Sequence, residues 1–154
     1  MRRASVIAVS VAIIAADRLS KLFAMRLPEP GPFSFSDVLT TTHHQNFGLL
    51  ADTRVPMFLI YLVTMIVIAL VVAAFVMADR KKNARDMLAL AIIFGGAVGN
   101  LWDRIQWGYV FDWILVFHTS ILNVADIAIG FGLLLYILNH TRSTSRLDNQ
   151  PKTP

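Results

Sequence analysis

Residues 56–78 read PMFLIYLVTMIVIALVVAAFVMA and contain no charged side chain. A transmembrane helix needs about 20 predominantly apolar residues, so this run is long enough to cross the hydrocarbon layer of a membrane. The whole chain of 154 residues is 56% hydrophobic and 16% charged, whereas soluble domains average about 45–50% and about 25%. These proportions argue against a soluble domain and a disordered chain, and they predict an integral membrane protein.

Three further apolar stretches cover residues 4–25, 87–105 and 119–139. Each is expected to be helical, because an α-helix satisfies its own backbone hydrogen bonds in lipid. We therefore predict an all-α membrane protein with four transmembrane helices, in one domain over residues 1–140. Residues 141–154 are polar and predict a disordered cytoplasmic tail.

The connecting segments add two expectations. The loop 28–55 is rich in proline at its start and then in threonine and phenylalanine, which predicts turns and short strands that form a small cap on the outer side. The first residues also fit a cleaved secretory signal, since Arg2 and Arg3 precede an apolar stretch. Apolar residues resume at Leu19, which favours a membrane span instead.

Basic residues are distributed unequally between the two sides of the predicted spans. One side carries only Arg26, Arg54 and Arg104. The termini and the loop between the second and third spans carry nine: Arg2, Arg3, Arg80, Lys81, Lys82, Arg85, Arg142, Arg146 and Lys152. The positive-inside rule then places both termini in the cytoplasm. This distribution explains the net charge of +4 by membrane topology, and we expect no nucleic-acid partner.

Ionisable residues within the spans are the most informative feature, because each costs about 2.5–3.5 kcal/mol on insertion scales. In the predicted topology they converge with polar neighbours near the outer membrane face: Asp17, Arg18 and Lys21 in the first span, Asn100, Asp103 and Arg104 in the third, Asp112 in a loop, and Asn123 and Asp126 in the fourth. Such convergence predicts either a polar network that permits insertion or a functional site.

Each polar group has a structural interpretation. Asp17 and Lys21 lie at i and i+4 and are expected to form an ion pair. Asn100, Asp103 and Arg104 fit a hydrogen-bonded helix end, with Asp103 supporting it and Arg104 extending to the interface. Asp126 fits the start of a helix, where its negative charge interacts favourably with the helix dipole.

Asp112 and Asp126 also fit a catalytic pair. Aromatic residues alternate with others over 107–113, so an extended chain there would direct the rings to lipid and Asp112 to the bundle, facing Asp126. Two close carboxylates share a proton, and one can then activate water while the other acts as an acid. From spacing alone, the catalytic and structural interpretations remain equally open.

Other motifs give weaker evidence for a functional site. Gly95 and Gly99 form a GxxxG pattern that favours close helix packing. The four histidines have no metal-ligand spacing, and the chain lacks cysteine, so we predict no metal and no cofactor. Ser120 is not surrounded by a serine-nucleophile motif.

Four ordered motifs resemble the lipoprotein signal peptidase family, also called signal peptidase II. They are Asn46-Phe47-Gly48, the stretch from Gly95 to Arg104, the stretch from Gly108 to Trp113, and Asn123-Val124-Ala125-Asp126. The resemblance implies an aspartic endopeptidase that removes the signal peptide from bacterial prolipoproteins, N-terminal to a diacylglyceryl-modified cysteine. It also implies location in the cytoplasmic (inner) membrane, contact with membrane lipid, and no obligate protein partner.

The resemblance implies roles for individual residues. Asp112 and Asp126 match the catalytic dyad, and Asp17 and Lys21 match the polar pair of the first span. Residues that line or support the site are matched by Asn46, Gly48, Asn100, Arg104, Asn123 and Ala125. The chain departs from the family pattern at Arg18, Leu49, Leu50, Trp102 and Trp113, which bears on the shape of the substrate groove.

Three other classes of protein remain as alternatives. A small four-helix exporter would use an acid near the membrane midplane, a presenilin-like protease would carry a Gly-x-Gly-Asp element in a span, and an assembly subunit would not require converging polar residues. In this sequence the acids lie toward the outer ends of the predicted spans, no span contains Gly-x-Gly-Asp, and an assembly subunit would leave the converging polar residues unexplained.

Overall fold

The computed structural model describes residues 3–28, 34–35, 39–48, 53 and 55–148, without the side chains of 34–35 and 142–148. Four helices carry the architecture: α1 (Arg3–Ala24), α2 (Met57–Arg80), α3 (Ala84–Trp107) and α4 (Val124–Asp148). Four strands lie between them in the chain: β1 (Ser34–Phe35), β2 (Leu39–Asn46), β3 (Val110–Val116) and β4 (Ser120–Leu122).

Helix α3 is the central element and packs against α1, α2 and α4. Small residues allow the close approach, because a Cβ on Gly95 would lie 3.0 Å from the Ile13 Cβ of α1 and one on Gly96 would lie 2.5 Å from the Ala125 carbonyl oxygen of α4. A Cβ on Gly99 would lie 2.9 Å from an Asp17 oxygen. The GxxxG pattern is thus a helix-packing surface, as predicted.

Local signals fix both ends of α3. The Asn83 side chain caps its start by accepting a hydrogen bond from the Asp86 backbone N–H at 3.3 Å. Gly108 ends the helix in the left-handed conformation with φ 79°, and its N–H donates to the Arg104 carbonyl. This turn directs the chain from α3 into strand β3, which carries Asp112.

The strands form an antiparallel sheet in the order β1-β2-β3-β4. His44 is paired with Asp112, and Thr41 with Ile114, so β2 has one more residue than β3 between these pairs. This irregularity is a β-bulge, a feature that redirects side chains and is common beside functional sites. The sheet supplies the short-strand cap that the loop sequence predicts, and it includes residues 110–122.

Among the described residues, three helices are long and apolar enough to cross a membrane: Met57–Arg80, Ala84–Trp107 and Val124–Thr141. Helix α1 is of similar length, but Asp17, Arg18 and Lys21 lower its hydropathy. The predicted count of four transmembrane helices is therefore supported for three, and the fourth stays a prediction.

Three local expectations were wrong. Residues 120–122 form β4, so the fourth helix begins at Val124 and not at 119, because the sheet extends almost to Asn123. Helix α4 continues to Asp148, so residues 141–148 are helical, whereas 149–154 lie outside the described part. Phe111 is buried and not turned to lipid, and the His43 ring packs 5.4 Å from the Phe111 ring.

Candidate active site

Asp112 lies on β3 and is 1% exposed. Its two carboxyl oxygens both accept side-chain amide hydrogen bonds: Asn123 Nδ2 donates to Oδ1 at 2.6 Å, and Asn46 Nδ2 donates to Oδ2 at 3.0 Å. Strand pairing with β2 brings Asn46 close, and the start of α4 supplies Asn123. Asp112 is therefore held from two sides as a hydrogen-bond acceptor.

Asp126 lies in the first turn of α4 and forms a capping box with Asn123. Asn123 Oδ1 accepts from the Asp126 N–H at 2.9 Å, and Asp126 Oδ2 accepts from the Asn123 N–H at 3.3 Å. The structural interpretation of Asp126 as a helix-start residue is thus realised. Its second oxygen has a different partner, because Asn100 Nδ2 donates to Asp126 Oδ1 at 2.7 Å.

One amide chain connects the two acids. Asn123 Nδ2, which donates to Asp112, also lies 3.1 Å from Asn100 Oδ1, and Asn100 in turn donates to Asp126. Asn123 is fully buried and Asn100 is nearly so. The two carboxyl groups, which come from different elements of the fold, therefore belong to one hydrogen-bonded cluster.

Both acids line a cleft of about 730 Å³ between α2 and α4. One part of it is polar, with Asn46, Asn100, Arg104, Asp112 and Asp126; the other is apolar and is lined by Val63, Val67, Ala97, Leu122 and Ile129. A second cavity of about 230 Å³ lies among α1, α2 and α3, and its lining carries no ionisable side chain. The larger cleft is the site at which chemistry is possible.

A second cluster lies behind the acids. Lys21 Nζ lies 2.7 Å from Asp17 Oδ2 and 2.7 Å from Asp103 Oδ2, and all three side chains are buried. Asp17 and Lys21 thus pair as their spacing predicts. Arg18 Nη1 lies 3.6 Å from the other Asp103 oxygen, and its guanidinium stacks 4.2 Å from the centre of a Trp107 ring.

Arg104 is buried and does not extend to the interface, contrary to the structural expectation. Its Nη2 donates to the Gly48 carbonyl at 3.0 Å, and the Gly48 N–H donates to Asn46 Oδ1 at 2.9 Å. These two bonds hold the loop after β2 against α3, and they orient the Asn46 amide toward Asp112. The partner for Arg104 is a backbone carbonyl, which residue type and spacing did not indicate.

Of the eleven residues assigned to the site or its support from the sequence, ten lie in these two clusters or line the cleft, and Gly48 is hydrogen-bonded to two residues of the cleft, Asn46 and Arg104. Ala125 contributes through its backbone, since its N–H donates to Asp17 Oδ1 at 2.9 Å. Asp103 does more than support a helix end, because its Oδ2 accepts from the Phe111 N–H at 3.3 Å. In the described chain, no three His, Cys, Asp or Glu side chains are placed to hold a metal ion.

The sequence reasoning missed three residues. Tyr61 of α2 donates to the Arg104 carbonyl at 2.9 Å, and Thr64 and His44 line the cleft. Tyr61 and Thr64 lie at i and i+3 on an otherwise apolar helix, and this shared polar face could have identified them. His44 could have been found only from the strand register, which the β-bulge alters.

The buried position of Asp112 raises the pKa of its carboxyl from 3.8 to about 6; the nearby Asp126 charge adds to this rise, and the amide hydrogen bonds oppose it. Between these values the folded protein binds more protons than the unfolded chain. We therefore expect the free energy of unfolding to fall by up to about 3 kcal/mol as the pH rises from about 4 to about 6.

This expectation is checked by denaturation in detergent from pH 4 to pH 7. The variant Asp112→Asn should lose the part of the slope that this carboxyl causes, because an amide does not titrate in this range. Identical pH dependence in the variant and the parent protein would contradict the assignment.

Comparison with known proteins identifies relatives of this chain. The family described as Signal peptidase (SPase) II matches residues 9–142. A lipoprotein signal peptidase from Brevibacillus brevis is 34% identical over 139 residues, covering 85% of this chain and 91% of the relative. One from Clostridium tetani is 28% identical over 137 residues, covering 81% of this chain and 85% of the relative.

Two solved structures of bacterial membrane enzymes are also similar. One has a TM-score of 0.83 at 23% identity and covers 99% of this chain and 95% of its own, which shows a shared fold. The other has a TM-score of 0.78 at 26% identity and covers 89% and 92%. The extent of the family match and the nearly full-length relatives lead to one conclusion: this chain belongs to the signal peptidase II family.

Proposed function

We propose that this protein is an aspartic endopeptidase that cleaves bacterial prolipoproteins on the N-terminal side of a diacylglyceryl-modified cysteine. Membership of the family supports removal of the signal peptide from prolipoproteins. The observation that carries the aspartic mechanism is the pair of carboxyl groups, Asp112 and Asp126, joined through Asn123 and Asn100 in one cleft.

The two acids act with one proton between them. The ionised carboxylate takes a proton from a water molecule, whose oxygen bonds to the scissile carbonyl carbon, while the protonated carboxyl donates its proton to the carbonyl oxygen. The tetrahedral intermediate then collapses: the C–N bond breaks, the leaving nitrogen takes the proton that came from water, and one hydroxyl of the intermediate returns its proton to the ionised carboxylate, which restores the pair. The pair shares this proton as a unit.

The amide donors prepare the acids for this reaction. Each carboxyl already accepts two hydrogen bonds, from Asn46 and Asn123 in one case and from Asn100 and the Asn123 backbone in the other. These bonds fix both groups before substrate arrives, so little reorganisation is needed during the reaction. Desolvation keeps a proton available at near-neutral pH, because it raises the pKa of Asp112 to about 6.

The cleft also suits a substrate that is held in lipid. Helices α2 and α4 both pack against α3. The cleft lies between α2 and α4, and residues of α3 also line it. Its apolar side would contact acyl chains and the signal helix, and its polar side would contact the peptide at the scissile bond. Such anchoring orients the bond toward the acids, which lowers the barrier by proximity.

We further propose that α1 is the fourth transmembrane helix. Its charged residues Asp17 and Lys21 are buried and paired, which reduces the cost of placing them in a membrane. Its exposed side chains include Ile7, Val11, Leu19 and Phe23, which suit contact with lipid. With the basic loop between α2 and α3 in the cytoplasm, the acids then lie near the outer face.

The direct test uses a short prolipoprotein in detergent, with and without a diacylglyceryl group on its cysteine. We expect one cut, immediately before the modified cysteine, and a loss of at least about 10²-fold in kcat/KM without the lipid, because binding energy from the acyl chains orients the bond. Mass spectrometry of the products identifies the cut. Cleavage at another bond, or equal rates for both substrates, would reject the proposed specificity.

A further inference from the structure

Lys21 is fully buried and is the centre of a branched set of contacts. Its Nζ lies 2.7 Å from Asp17 Oδ2, 2.7 Å from Asp103 Oδ2 and 3.4 Å from Asn100 Oδ1. A lysine ammonium has three N–H donors, so each of them has an acceptor. A simple ion pair for membrane insertion would need only one acid, and Asp17 on the same helix already supplies it.

Both acids have a second contact that leads to the dyad. Asp103 Oδ2 accepts from the N–H of Phe111, the residue before Asp112. Asp17 Oδ1 accepts from the N–H of Ala125, the residue before Asp126. Lys21 therefore lies on a path of two contacts to the backbone beside each member of the dyad.

The third acceptor leads to the dyad as well. Asn100, which lies 3.4 Å from the ammonium, donates to Asp126 Oδ1 at 2.7 Å. The contacts of Lys21 thus come from α1 and α3, and they extend to strand β3 and to helix α4. These last two elements carry the acids, and the same buried cation links both of them.

We propose that Lys21 is a positioning residue that sets the separation of Asp112 and Asp126 by linking the backbone of β3 and the backbone of α4 to one ammonium group. This inference rests on the proposed aspartic function. Lys21 does not touch the reacting atoms in this scheme. Its effect on the rate arises because a misplacement of about 1 Å can cost about 10²-fold.

The charges of the cluster make a specific test possible. Asp17 and Asp103 are balanced by Lys21 and Arg18, since Arg18 Nη1 lies 3.6 Å from Asp103 Oδ1. The double variant Lys21→Met/Asp17→Asn removes one charge of each sign and leaves Asp103 with Arg18. The amide introduced at position 17 keeps an acceptor for the Ala125 N–H. The main loss is therefore the ammonium group that joins residue 17 to Asp103. Replacement of a buried ion pair by well-packed hydrophobic residues of similar volume is often neutral for stability; here methionine replaces the lysine, and asparagine keeps the hydrogen bond that Asp17 accepts from Ala125.

We expect this double variant to fold with a melting temperature close to that of the parent protein. Its kcat for a lipidated prolipoprotein should fall about 10²-fold, with KM within about twofold, because the cleft still binds substrate but the acids are displaced. The matched control is Arg3→Gln/Asp79→Asn, which removes a surface ion pair of 2.7 Å at the other end of α1 and should leave kcat unchanged.

A second variant, Lys21→Gln/Asp17→Asn, retains hydrogen-bonding side chains and should lose kcat in the same way. Turnover within about threefold of the parent in either folded variant would overturn the inference, since a purely structural pair predicts full activity in folded protein. Failure of both variants to fold would also overturn it, because the pair would then act on folding itself. Asp112→Asn and Asp126→Asn test the aspartic mechanism separately: full activity in those variants would reject the proposed function, whereas full activity in the Lys21 variants alone would reject only the positioning role.

Discussion

Replacement of Asp112 or Asp126 by asparagine should abolish processing of a lipidated prolipoprotein, with a loss in kcat of about 10²–10⁴-fold or more. An asparagine amide neither takes a proton from water nor donates one as an acid, and the remaining carboxyl cannot do both. The measurement is product formation in detergent, expressed per folded molecule. Each single variant should lose about as much activity as the double variant, because the two acids act as a unit.

The folded fraction needs separate control, because the substitution at Asp112 also changes its hydrogen bonds. Asn46 and Asn123 donate to the two oxygens of Asp112, so the NH2 group of the introduced amide would face another donor. At about pH 4, where the raised pKa of Asp112 leaves its carboxyl protonated in the folded protein, we expect a loss of about 1–3 kcal/mol in the free energy of unfolding for Asp112→Asn. Asp79→Asn, at a surface carboxylate far along the chain, controls for the substitution itself. Parent-like processing by either dyad variant would reject the aspartic mechanism.

Much of the helical framework could be predicted from the sequence. The uncharged run of α2 and the apolar stretches that became α1 and α3 ended within a few residues of the predicted bounds, because hydropathy and length constrain a helix in lipid. The small residues from Gly95 to Gly99 correctly indicated close packing. The i,i+4 spacing correctly indicated the Asp17–Lys21 pair.

The remaining features depend on tertiary contacts that no local pattern encodes. The partner of Arg104 is the carbonyl of Gly48, and backbone groups carry no sequence signal. The burial of Phe111 depends on what packs on its face of the sheet, including the His43 ring, which a search for alternation along one strand cannot reveal. Asp103 was assigned only to helix-end support, because its contacts with Lys21 and the Phe111 N–H join three separate segments and leave no local signal.

Substitution of Gly96 by alanine should reduce both stability and turnover. A Cβ at this position would lie 2.5 Å from the Ala125 carbonyl oxygen and 2.8 Å from Ile129 Cγ1, so helix α4 must move away from α3. Overpacking of this kind costs about 1–3 kcal/mol. The higher helix propensity of alanine offsets only about 0.5–1 kcal/mol of that cost.

We expect a larger change in kcat than the loss of stability alone would cause, because the displaced backbone at Ala125 lies directly before Asp126. Movement at Ala125 weakens its 2.9 Å hydrogen bond to Asp17 and shifts the Asp126 carboxyl relative to Asp112. A displacement of about 1 Å predicts a fall of about 10²-fold in kcat.

Gly130→Ala is the matched control for this stability change, since a Cβ there meets no atom within 4 Å. Its melting temperature should equal or exceed that of the parent, whereas the melting temperature of Gly96→Ala should fall. Thermal denaturation and single-turnover cleavage of the same preparations separate the two effects. A Gly96→Ala protein with parent-like melting and turnover would show that α4 yields at Ala125 without moving Asp126, and the close α3–α4 contact would then have no part in placing the acid.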